Sequence, residues 1–169
     1  MSETLVIVER GGLAESRHVG SIAVTDASGT LLMSAGDPHR SVFARSSLKP
    51  LQALPLVASG AADRFALTEE ELAICCASHF GEERHVRVVT GLLAKLGLPE
   101  TALQCGVHPP LDDAAAEKLV QAGASPRPVH NNCSGKHSGM LALALHLQSS
   151  VEDYYLPDHP VQQAIAQAI

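Results

Sequence analysis

The chain contains no tryptophan, and its 169 residues include only three phenylalanines and two tyrosines. Its core must therefore be built mostly from Leu, Val, Ala and Ile. Clusters of Lys or Arg are also missing, and the formal net charge is −6. That argues against a nucleic-acid partner, whose phosphate backbone calls for clustered basic surface. No stretch of 18 apolar residues occurs, so no segment reads as a membrane-spanning helix. Residues 1–10 lack the basic segment and long apolar run of an export signal. A cytoplasmic protein without nucleic-acid or membrane partners is the expectation. Its four cysteines then read as free thiols, ligands or catalysts rather than as a disulfide framework.

Several chemical motifs are missing as well. Without H-E-x-x-H no zincin is indicated, and without G-x-G-x-x-G no dinucleotide fingerprint. Gly135-Lys136-His137 lacks both the glycine spacing and the hydroxyl of a phosphate-binding loop. Gly135 to Gly139 spells G-x-x-S-G, one residue out of register for a nucleophile elbow.

What is present is a globular composition, 46% hydrophobic, on one domain's worth of chain. Leu5–Val8 is apolar and β-branched and predicts a mostly buried strand, broken by Gly11-Gly12. His18–Asp26 alternates and predicts a second strand. Ala27–Thr30 then reads as a turn and Leu31–Met33 as a third strand. The chain thus opens as an antiparallel β-layer that delivers Ser46 at a strand-to-helix junction. The first helix has Leu48, Leu51, Leu54 and Ala58 on its apolar face. Pro50 predicts an irregular first turn, Pro55 a kink and Gly60 an end. Thr68 and Glu71 form a capping box opening a helix to Ala77, with Cys75 and Cys76 as small buried hydrophobes. Helices are expected over Glu82–Lys95, from Asp112 or Asp113 to Gln121, over Gly135–His146, and from Pro160 onward.

Two polar stretches carry the chemistry. Ser46 and Lys49 stand three apart, so a first helical turn presents both on one face. A serine hydroxyl is a weak nucleophile until a neighbour takes its proton, and a lysine kept neutral by burial can take it. The S-x-x-K pattern fits that use, and equally a helix start with a solvated lysine. In Asn131–Gly139, Cys133 and Lys136 repeat the spacing. Two nucleophile–lysine pairs, each at the mouth of an apolar helix, are hard to attribute to packing alone. Ser78 and His79 at a helix junction read locally as a cap and a surface imidazole. His130, Cys133 and His137 have the types of a metal site, and equally those of solvated loop histidines.

R-S-S-L-K-P-L-Q at Arg45–Gln52, A-S-H-F-G-E at Ala77–Glu82 and N-N-C-S-G-K-H-S-G-M at Asn131–Met140 together resemble the asparaginase II family, the Rhizobium-type L-asparaginases. V-E-R-G-G at Val8–Gly12 and A-G-D-P at Ala35–Pro38 extend the resemblance. It implies an α+β fold akin to serine β-lactamases, an antiparallel sheet flanked by helices. The implied reaction is hydrolysis of L-asparagine to L-aspartate and ammonia. By the same resemblance Ser46 is the nucleophile, Lys49 its partner, and Ser78 with Lys136 a second serine–lysine pair. Arg45, Asn132 and His137 fall to substrate binding, and Cys133 to a zinc ion.

Family members are roughly twice as long as these 169 residues, beyond the usual size of a single domain. Their remaining zinc ligands, an Asp and a Cys, would lie beyond Ile169. Residues 1–169 are therefore expected to be the N-terminal portion of one such domain, homodimeric in its full-length form. Two alternatives stand beside this reading. One is a truncated, non-catalytic half. The other is a β-lactamase-like hydrolase of another amide, for which only the S-x-x-K speaks, since no S-D-N or K-T-G triplet occurs.

Overall fold

Among residues 2–169, which the computed structural model describes, strands occur only up to Ala35 and helices only from Arg45 on. The chain divides into two units, one ending at Phe43 and the other spanning Ala44–Ile169. It is an α+β protein, and no described helix is long and apolar enough to cross a membrane.

In the first unit β1 (Glu3–Arg10) pairs antiparallel with β2 (Leu13–Gly20). Gly11 and Gly12 make the connection, with φ of 57° and 78°. Two successive positive φ values define the tight hairpin turn whose twist matches the strands, and glycine adopts them freely. The Gly-Gly expected to break a strand therefore joins two. β3 (Ile22–Thr25) pairs with β4 (Leu31–Ala35) around a turn in which Asp26 accepts from the Ser28 and Thr30 N–H groups, each at 2.9 Å.

The expected single antiparallel sheet is corrected: the two hairpins are separate two-stranded sheets. The expected strand His18–Asp26 is likewise two. Gly20 still pairs with Glu3, whereas Ile22 already pairs with Ala35. The alternating pattern runs through this change of partner and gives no sign of it. Burial of Leu5–Val8 is also corrected, because every residue of β1 is exposed. A hairpin pairs strand edges but covers neither face, and β1 carries apolar residues on both.

The second unit begins with a 3-10 turn, Arg45–Leu48, followed by α1 (Lys49–Gln52), α2 (Leu54–Ala58) and α3 (Ala61–Arg64). Pro50 and Pro55 each sit in the first turn of their own helix, where a missing N–H removes no hydrogen bond. The expected continuous helix is thereby divided at Ala53. Its expected apolar face is inverted: Lys49, Ala53 and Leu56 are buried, whereas Leu51 and Leu54 are exposed. Lys49 can turn inward because polar partners await it there.

α4 (Glu69–Cys75) starts on the expected capping box, Glu71 accepting from the Thr68 N–H at 2.8 Å and Thr68 Oγ1 from the Glu71 N–H at 3.3 Å. It ends two residues before the expected Ala77. Cys75 is buried as expected and Cys76 only half-buried. α5 (Glu83–Lys95), α6 (Asp113–Gln121), α7 (Ser134–His146) and α8 (Pro160–Ala168) lie within a residue or two of the sequence reading. Asp112 caps α6 by accepting from the Ala115 N–H at 2.8 Å.

α7 is the hub, packed against α2, α3, α4, α5 and α8, with Met140 to Ala144 all buried. Gly135 and Gly139, one turn apart, face α4. A Cβ on Gly135 would collide with the Ile74 carbonyl oxygen, and one on Gly139 would lie 2.9 Å from Cys75 Sγ. Bare backbone at these two places lets α4 approach the head of α7. The turn after α4, carrying Ser78, is thereby brought beside Cys133.

Candidate active site

Arg45 has φ of 49°, a left-handed conformation that costs a non-glycine residue about 1–2 kcal/mol. Strain of this kind persists only where the surroundings enforce it, and it falls here on the residue before Ser46. Ser46 follows on the 3-10 turn and is exposed. Lys49, at the first position of α1, is only 3% exposed. Its ammonium donates to Ser78 Oγ at 2.7 Å, to the Ala77 carbonyl at 3.2 Å and to Cys133 Sγ at 3.3 Å. Ser78 Oγ in turn donates to Ser46 Oγ at 3.2 Å. Three separate segments thus converge on one chain of hydrogen bonds, Ser46–Ser78–Lys49–Cys133.

Arg45, Ser46, Lys49, Gln52, Cys133 and Lys136 line a recess of about 280 Å³. A larger hollow of about 450 Å³ beside α5 and α6 holds no hydroxyl or thiol, and another of about 460 Å³ reaches Ser78, His79 and His85 but holds neither lysine. Burial pushes the Lys136 pKa down; the nearby Cys133 thiol opposes this and the Lys49 ammonium adds to it. A lysine so placed gives up its proton more readily than one in water.

The structure revises the expected pairing within the cluster. Lys49 reaches Ser46 through Ser78 rather than directly, and Ser78 hydrogen-bonds to Lys49 and Ser46 rather than to Lys136. His137 does not line the recess. It is buried on α7, its Nδ1 sharing a hydrogen bond of 2.8 Å with the Tyr154 hydroxyl. Burial, helped by the charges of Lys136 and Lys49, brings its pKa down to about 3, so it is neutral at pH 7. Asn132 also lies off the recess lining. Its N–H donates to His108 Nε2 at 3.1 Å, and its carbonyl accepts the His79 N–H at 3.1 Å.

His79 is not a surface imidazole. It is 4% exposed and stacks on the His85 ring at 5.2 Å. Burial, with His85 and Lys49 nearby, brings its pKa down to about 4. Sequence reasoning missed it, and also missed Gln52 in the recess and the fully buried Tyr154 behind His137. The available signal for His79 was its place next to Ser78 in a resemblance motif. Tyr154 carried no local signal.

Among the described residues no three His, Cys, Asp or Glu side chains come close enough to hold a metal. His130 is buried and accepts the Arg127 N–H at 2.8 Å, and His137 is taken by Tyr154. The trio His130, Cys133 and His137 is therefore neither a chelate nor a set of solvated loop residues. For zinc, which takes four ligands in structural sites and three protein ligands in catalytic ones, the recess offers the Cys133 thiol beside two lysines. The described residues alone do not make that site.

Fold and recess together define an α+β protein whose recess gathers a serine hydroxyl, a thiol and two lysines, with the Ser78 hydroxyl hydrogen-bonded to Ser46 and Lys49 beside it. The family model for L-asparaginase II matches residues 6–169, and the chain belongs to that family. Membership points to hydrolysis of asparagine in general. Among curated proteins, none matches the sequence.

Proposed function

We propose that this chain carries the serine–lysine machinery of an L-asparaginase, hydrolysing asparagine to aspartate and ammonia. The observation that carries the reading is the relay Ser46–Ser78–Lys49, with contacts of 3.2 and 2.7 Å. Ser46 is the nucleophile and attacks the side-chain amide carbon. For this step Lys49 first gives up its ammonium proton to solvent; the Ser46 proton then moves to Ser78, and Ser78 passes its own to the uncharged Lys49 amine, which becomes an ammonium. The resulting oxyanion is met by the backbone N–H of Ser46 on the 3-10 turn. Lys136, whose ammonium is destabilised by burial, protonates the leaving nitrogen, and ammonia departs. Water then attacks the acyl-enzyme and gives its proton to the now uncharged Lys136, while Lys49 returns a proton through Ser78 to Ser46; aspartate leaves with all three groups restored. Arg45, at the rim of the recess, takes the substrate carboxylate. Asn132 and His137 act from behind the recess wall by holding its loops.

The serine β-lactamase-like fold, a zinc ion on Cys133, a full-length homodimer and a cytoplasmic setting belong to the same reading by resemblance. Zinc content of the purified chain and of Cys133→Ala tests the metal, since equal content would remove the ligand role.

Ammonia release from L-asparagine by wild type and Ser46→Ala tests the reaction. Wild-type turnover in Ser46→Ala would sink the nucleophile assignment. Nitrocefin hydrolysis without ammonia release would favour a β-lactamase-like hydrolase of another amide, the second reading that S-x-x-K supports.

A further inference from the structure

The relay depends on where the Ser78 hydroxyl stands, and Ser78 is exposed on a short turn after α4. The neighbouring His79 fastens that turn at two points through its ring. Its Nδ1 accepts the Gly81 N–H at 3.1 Å, closing the turn on itself. Its Nε2 meets Ser134 Oγ at 2.8 Å, at the first residue of α7. Ser134 Oγ donates to the Val129 carbonyl at 3.0 Å. The donor count fixes the proton. Nδ1 is an acceptor, so the neutral ring carries its hydrogen on Nε2 and donates it to Ser134. Every polar atom in the set is then satisfied.

Two backbone features leave the ring no other place. The His79 N–H donates to the Asn132 carbonyl at 3.1 Å. Gly81 has φ of 78°, and a Cβ there would stand 3.0 Å from the His130 carbonyl and from Pro110. The turn is thus pressed against the segment that leads into Cys133.

We infer that His79 is a positioning residue, whose Nε2-protonated imidazole pins the Ser78 turn to the head of α7 and holds the Ser78 hydroxyl between Ser46 and Lys49. It touches none of the reacting atoms. Its effect is geometric, and displacement of a relay group by about 1 Å can cost roughly 100-fold in rate. The inference rests on the Ser46–Ser78–Lys49 reading of the site.

Three variants and one spectrum test it. In His79→Gln the amide reaches Ser134 but offers no acceptor to Gly81; in His79→Ala both bonds are lost. The expected result is kcat down about tenfold in His79→Gln and about 100-fold in His79→Ala, with KM within about twofold of wild type. A smaller folded fraction alone would also lower apparent kcat at constant KM, so kcat is taken per folded chain, with the folded fraction read by circular dichroism; a loss that vanishes on that basis would overturn the positioning role. Ring-¹⁵N NMR of the wild-type chain near neutral pH should show the Nε2–H tautomer at His79. Wild-type kcat in folded His79→Gln and His79→Ala, while Ser46→Ala is inactive, would overturn the positioning role and leave the serine–lysine reading standing. Full activity in Ser46→Ala would overturn both. An Nδ1–H tautomer would overturn the clip whatever the activity.

Discussion

The two units of the chain use apolar residues in opposite ways. In the hairpins Val6, Leu13, Val19, Leu32 and Met33 are all more than half exposed. In the helical unit Val89, Leu92, Leu141, Val161 and the ring of Tyr154 are fully enclosed. Sequence hydrophobicity is similar in both. The difference is geometric. A helix hub such as α7 can be surrounded on all sides, whereas a two-stranded ribbon satisfies its backbone along one edge and has two faces left over. The site follows the same division. Ser46, Lys49, Ser78, Cys133 and Lys136 all belong to the helical unit, where packing can fix side chains to fractions of an ångström.

The comparison predicts that substitutions in the helical unit matter far more. Ser46→Ala gives the largest effect, a fall in kcat of about 10⁴-fold or more with the fold retained, read as ammonia release alongside circular dichroism. Next is Gly135→Ala. Its new Cβ would collide with both the Ile74 carbonyl and Ile74 Cγ1, so a loss of about 1–3 kcal/mol is expected in denaturant unfolding. An unchanged midpoint would mean that α4 and α7 are not so closely opposed.

Acidification comes third. His79 and His137 have pKa values brought down to about 4 and 3, whereas the unfolded chain protonates near 6.5. Below pH 6.5 the unfolded state therefore binds protons that the folded state refuses, and stability falls as pH is lowered towards 4. Each group contributes a slope of at most about 1.4 kcal/mol per pH unit. Thermal melts between pH 7 and 4.5 should show this loss, and His137→Asn should flatten it. Thr68→Ala, which removes the cap of α4, should cost about 1 kcal/mol by the same measurement. Smallest of all is Met33→Thr on β4, expected within about 0.5 kcal/mol of wild type. A large loss there would show that the hairpin face is covered in solution and would break the contrast between the units.

How much could be read in advance follows from the range of each interaction. The Thr68–Glu71 box, the Asp112 cap and the proline starts of α1 and α8 were legible because their partners lie within four residues. Gly11-Gly12 marks a break in the sequence, but which strand follows it as partner is fixed only by the pairing of β1 with β2. The inverted face of α1 and α2 was not readable. Periodicity favours Leu51 and Leu54 for burial, and only the distant Ala77, Ser78 and Cys133 make Lys49 the better inward residue. Nor did alternation reveal that β2 ends at Gly20, because a change of strand partner leaves no local mark.

The sequence by itself determined α4 to α8, the caps of α4 and α6, the two spacings Ser46–Lys49 and Cys133–Lys136, and membership of the L-asparaginase II family. These depend on neighbours in the chain or on motifs carried whole. Tertiary structure decided the order of the hydrogen-bond chain, with Ser78 between Ser46 and Lys49 though it lies 29 residues from the lysine. It also decided that His79 and His137 are buried, neutral and held by Ser134 and Tyr154. Hydrogen bonds between distant segments exist only once α4 has closed onto the glycines of α7, and no local pattern encodes that closure.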